Sequence, residues 1–195
     1  QTYYWLNVSN PTISGMFLSS YSHGLMDNSH IIWNIIGYLL SSVCIVIIWY
    51  LREGTKSPIP KGYFLSLFGI LYLIGPFVIS VCSLPAVFLS SFPEHIAVFS
   101  GIVAALFGVC ISLIYPITSN IAKWLANQKL EDEKVKKIIV FVCRNIPIIC
   151  IICLIIGYII DWGSALGSSM QHNIFGHIGG LLFGFVTAYM LEWYL

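Results

Sequence analysis

Long apolar runs alternate along this chain with short segments rich in Gly, Pro, Ser and charge. A helix needs roughly 20 apolar residues to cross the hydrocarbon core of a bilayer, and runs near that length occur at about 30–51, 63–84, 95–117, 146–161 and 174–195. The segments between them carry turn and breaker chemistry: REGTKSPIPKG after the first run, SLPAVFLSSFPEH after the second, DWGSALGSSMQHN after the fourth. The stretch at about 118–145 contains NQKLEDEKVKK and is expected to be a solvated loop or surface helix at the membrane edge. No internal repeat or low-complexity tract interrupts the pattern. It predicts an all-α polytopic membrane bundle, a single domain over 1–195 with five transmembrane helices.

Composition supports lipid as the solvent: 58% of the 195 residues are hydrophobic and 9% are charged, far from the balance of a soluble domain. A net charge of +1, with no basic stripe interleaved with aromatics, excludes a nucleic-acid footprint. The six cysteines lie in or beside apolar runs, where a thiol behaves as a small hydrophobe. The Cys150-x-x-Cys153 pair has no second pair and no neighbouring His, so it does not read as a metal or redox motif. Residues at the start, QTYYWLNVSNPT, have neither the basic nor the apolar region of a signal peptide.

All nine cations fall in two connections, Arg52, Lys56 and Lys61 in one, and Lys123, Lys129, Lys134, Lys136, Lys137 and Arg144 in the other. Because Lys and Arg are retained on the cytoplasmic side, loops 52–62 and 118–145 are expected to be cytoplasmic. The first, third and fifth runs then travel from outside to inside, and all five histidines fall on or near the outer side.

Polar groups within membrane helices are expensive and mark functional candidates. The first run opens with His30-x-x-x-Asn34, one turn apart on one face, at about the depth of Ser100 in the third run and His177 in the fifth. Acyl transfer needs a nucleophile, a base to take its proton and donors for the oxyanion that forms. Ser100, His177 and the His30/Asn34 pair suit those roles in that order, although each alone also suits ordinary helix packing. The fifth run carries Gly176-x-x-x-Gly180-x-x-x-Gly184 and the third carries Ala97, Gly101, Ala104 and Gly108. Small-residue stripes of this kind let two backbones approach closely. If they meet, Ser100 and His177 are drawn together at the outer end.

In these residues the chain resembles the rhomboid family of intramembrane serine proteases. The family's His followed by His-x-x-x-Asn is similar to His23 followed by His30-I-I-W-Asn34. Its Gly-x-Ser-Gly with a further Gly is similar to Val98-F-Ser100-Gly101 with Gly108. Its final Ala-His-x-x-Gly-x-x-x-Gly is similar to Gly176-His177-I-G-Gly180-L-L-F-Gly184. The likeness covers roughly 11–51, 95–117 and 172–195. It implies Ser100 as nucleophile and His177 as base, a dyad without an acidic third member. It also implies an oxyanion site from His30, Asn34 and the Ser100 N–H, with His23, Gly101, Gly108, Gly180 and Gly184 in support. Further implications are single-span membrane-protein substrates, no metal or cofactor, and a mobile cap in the segment containing Met170. Val98 and Ala104 depart from the pattern, standing where the family has a Gly and often an aromatic that packs on the His. A Trp-Arg pair common in the family's first loop is absent before His23. The family core has six helices, so residues 1–29 are expected to be the end of its long first loop, with the first helix missing.

Two other classes remain open on sequence. One is an inactive rhomboid-like protein that binds membrane-protein clients. The other is a membrane metal site from His23, Asp27, His30, His172 and His177, since His and carboxylate suit zinc, although no HExxH is present. An aspartyl protease lacks its two facing carboxylates, and no repeated halves suggest a transporter.

Overall fold

A computed structural model describes residues 6–7, 10–19, 28–53, 59–60, 62–85, 95–96, 99–129, 132–165 and 174–194. In chain order these form β1 (Leu6–Asn7), α1 (Ile13–Leu18), α2 (Asn28–Glu53), α3 (Tyr63–Leu73), α4 (Gly75–Ser83), β2 (His95–Ile96), α5 (Phe99–Ala126), α6 (Glu133–Ala165) and α7 (Ile174–Tyr194). Among the described residues, α2, α5, α6 and α7 contain stretches long and apolar enough to cross a membrane. The bent pair α3–α4 brings the number to as many as five. The chain is therefore a membrane-type helix bundle, and the many exposed Ile, Leu, Val and Trp side chains on α2 and α6 are what a lipid-facing surface requires.

The centre of the bundle is α5 against α7, its most extensive contact. Three pairs of contacts give the directions. Gly37 of α2 faces Val103 and Phe107 of α5, and the Cys110 thiol donates to the Ser41 carbonyl at 3.4 Å, so α2 and α5 run parallel. Gly180 meets Gly101 and Gly184 meets Ala105, so α7 is parallel to both. Gly75 lies by Phe183 and Cys82 by Gly179, so α4 runs the opposite way. Most of α5 is buried, whereas α6 lies almost wholly outside.

The expected run at 63–84 is broken. Ile74 interrupts it, and α3 and α4 diverge by 40°, because Pro76 in the first turn of α4 has no N–H to return to the preceding turn. In the segment at 118–145, expected as a solvated loop or surface helix, both forms occur. α5 continues to Ala126 and α6 starts at Glu133, so both helices extend past the apolar spans and the polar stretch NQKLEDEKVKK spans the connection and the first turn of α6. α6 is started by Asp132, whose carboxylate accepts from the N–H groups of Lys134 and Val135 at 2.8 and 3.2 Å, as an N-cap does. Arg52, expected in a loop, instead ends α2, is buried, and is ion-paired with Glu192 near the end of α7. A charge this removed from water requires such a partner.

Within the expected outer segment 1–29, Thr12 caps the short α1 by accepting from the Gly15 N–H at 3.0 Å. The Ser80 hydroxyl donates to the Met16 carbonyl at 2.8 Å, and Phe17 packs on Phe77 at 5.7 Å between ring centroids. These contacts hold α1 against α4. β1 pairs antiparallel with β2, Leu6 opposite Ile96 and Asn7 opposite His95, which ties the beginning of the chain to the approach to α5.

Candidate functional site at the start of α5 and α7

Ser100 occupies the first turn of α5, and His177 the first turn of α7. The two helices touch through backbone beside these residues. A Cβ on Gly180 would stand 2.9 Å from the Gly101 carbonyl carbon, and one on Gly184 would stand 2.8 Å from the Ala105 Cα. Gly108 is equally tight against the backbone of Leu181 and Phe185, and Gly101 lies 3.1 Å by the same measure from the Gly176 oxygen. Gly101, Gly108, Gly180 and Gly184 therefore all lie in this contact, where side chains are excluded.

Helical geometry fixes where the two polar side chains look. Ala104 and Leu181 share a buried apolar cluster packed by Phe107, Tyr158 and Phe185. Ser100 precedes Ala104 by one turn and His177 precedes Leu181 by one turn, so both open on the same α5–α6–α7 corner at the same level. His177 is buried, 7% exposed, and its ring packs on Tyr158 of α6 with centroids 4.9 Å apart and planes inclined at 39°. Ser100 is half-buried, as a hydroxyl reached by water would be.

α2 supplies the flank. Gly37 and Ser41 face α5 through Val103 and Cys110, and Asn34, one turn before Gly37 on that face, is buried at 7% exposure. Its amide nitrogen is enclosed with no hydrogen-bond partner. A buried donor left unmade costs about 1–3 kcal/mol, which a packed structure tolerates where the group has another use. The Ser100 N–H, among the first four of α5, has no acceptor within that helix.

His30 lies on the first turn of α2, and its side chain falls outside the described residues, as do His23, Asp27, Val98, Met170 and His172. Among the described residues, no group of three His, Cys, Asp or Glu is arranged to hold a metal. The structure thus brings Gly101, Gly108, Gly180 and Gly184 into one contact, with Ser100 and His177 on the first turns of the two helices that make it, and places Asn34 on α2 one turn before the residues that face α5.

Sequence reasoning missed Tyr158. A tyrosine from the otherwise peripheral α6 packs on the His177 ring. The signal was present as a tyrosine near the C-terminal end of an apolar run, but nothing local indicates which neighbour it touches. No protein-family model, curated protein or solved structure matches the chain.

Proposed function

We propose that this chain is an intramembrane serine endopeptidase of the rhomboid type. It cuts membrane-protein substrates near the non-cytoplasmic face of the bilayer. The observation that supports the reading is the backbone contact of α5 with α7 through the glycines that follow Ser100 and His177 in sequence. In this reading the Ser100 hydroxyl attacks the scissile carbonyl while His177 takes its proton and then delivers it to the leaving amine. Water reaching the half-buried Ser100 hydrolyses the acyl-serine by the reverse proton transfer. The Ser100 N–H at the start of α5, the unspent amide protons of Asn34 and the imidazole of His30 act as oxyanion donors. Tyr158 restrains the His177 ring. Arg52 and Glu192 lie at the opposite end of the spans and take no part.

The test is covalent labelling of the detergent-solubilised protein with a serine-reactive fluorophosphonate. Wild type is expected to label at a single serine. Ser100→Ala and His177→Ala are each expected to abolish labelling while leaving the thermal midpoint of the fold near that of wild type. Labelling that persists in either folded variant refutes the dyad.

A further inference from the structure

α6 is longer than a membrane is thick. Its 33 residues extend about 50 Å at 1.5 Å per residue, against about 30 Å of hydrocarbon. Residues 146–165, 20 in number and apolar apart from Asp161 and Ser164, fill that thickness. The excess of about 20 Å is then Glu133–Asn145, the part that carries Lys134, Lys136, Lys137 and Arg144. Arg144 accordingly stands where α6 enters the bilayer.

At that level a cavity of about 390 Å³ opens between α5 and α6. Lys123 from α5 and Arg144 from α6 line it, with the hydroxyls of Ser119 and Tyr115, and no carboxylate does. A second cavity of about 390 Å³ continues past Arg144 to Lys136 and Lys137. There Glu133 faces Lys136 at 3.6 Å, leaving the cations in excess. Two cations on facing helices around one cavity repel each other unless an anion lies between them. One and two turns further into the bilayer from Arg144, α6 is apolar, with Ile148 56% exposed and Ile152 51% exposed, and Trp124, 60% exposed, sits at the level where aromatic side chains meet lipid headgroups. Cations and hydroxyls above, with an apolar wall below, match a phosphate that carries acyl chains.

We propose that the α5–α6 groove is a binding site for the phosphate headgroup of an anionic phospholipid, held between Lys123 and Arg144 with its chains along α6. The assignment is independent of the protease reading and holds whether or not Ser100 reacts.

Native mass spectrometry of the full chain, released from nanodiscs of mixed phosphatidylglycerol and phosphatidylcholine, tests it. Wild type is expected to retain one phosphatidylglycerol in preference to phosphatidylcholine. The pair Lys123→Gln with Arg144→Gln is expected to lower that retention on the order of tenfold to thirtyfold. Lys129→Gln, which removes one charge in the turn outside both cavities, is expected to leave it unchanged, and Arg144→Lys to preserve most of it. Equal retention of the two lipids, retention by the double variant, or an equal loss in Lys129→Gln overturns the site. Inorganic phosphate supplies the second arm: displacement of the lipid by low-millimolar phosphate would make this a soluble-anion site and overturn the lipid assignment.

Discussion

Adding a single methyl group at Gly184 should separate the two helices on which the proposed chemistry rests. The new Cβ would stand 2.8 Å from the Ala105 Cα, and nearer still to its carbonyl oxygen, where ordinary contact begins at 3.4 Å. α5 and α7 must therefore part by at least about 0.6 Å, and a gap of that size forfeits a quarter to a half of each dispersion contact across it. Overpacking of this kind costs about 1–3 kcal/mol. The gain in helix propensity from Gly to Ala, about 0.8–1.0 kcal/mol, obscures that cost in one variant alone. Gly157→Ala removes the difficulty, because a Cβ at Gly157 on α6 meets nothing within 4 Å and collects the same propensity gain. The difference between the two variants is then the clash itself, a separation of about 2–12 °C in thermal midpoint for a chain of this size. Fluorophosphonate labelling should follow: a shift approaching 1 Å at His177 lowers the rate by up to about a hundredfold, while Gly157→Ala labels as wild type. Equal midpoints and equal labelling rates in the two variants would refute the reasoning.

Three further outcomes are expected. Tyr158→Ala removes an aromatic contact of about 0.5–1.5 kcal/mol and should slow labelling of Ser100 roughly tenfold, whereas Tyr158→Phe should retain wild-type rate; equal rates in both variants would leave the ring contact without a role. Asn34→Leu should hold or raise the thermal midpoint, since it deletes an enclosed amide with no partner, yet should reduce labelling about a hundredfold; a lower midpoint in thermal unfolding would show that the amide serves the fold instead. Arg52→Ala leaves the Glu192 carboxylate, 16% exposed, without its cation and should cost up to about 3 kcal/mol. The pair Arg52→Met with Glu192→Leu should recover most of that in denaturant unfolding, and a double variant as unstable as the single would contradict it.

The apolar runs were legible because hydrocarbon thickness sets a length that sequence displays directly. Their ends were not, since hydrophobicity reports where a helix leaves the membrane, while α5 and α6 continue beyond it as charged helix to Ala126 and from Glu133. Gly75-Pro76 was visible within the second run, yet apolarity on both sides concealed the bend. The α5–α7 contact could be read because glycine and alanine recur at helical spacing, a local pattern with a packing meaning. Arg52 with Glu192, and Tyr158 with His177, could not be read, since each joins elements remote in sequence and neither residue carries a periodic signal.

Backbone contact between α5 and α7 also restricts how the two helices can slide. A shift of α7 by one residue would turn it by about 100° and bring a bulky side chain such as Leu181 or Phe185 to a position that now admits only hydrogen. The next glycine-bearing alignment lies four residues away, about 6 Å along the axis. Relative height of the hydroxyl and the imidazole is thus quantised, held in one notch with its neighbours a full helical turn distant, so thinning or thickening of the surrounding bilayer tilts the pair as a unit and leaves their mutual alignment intact.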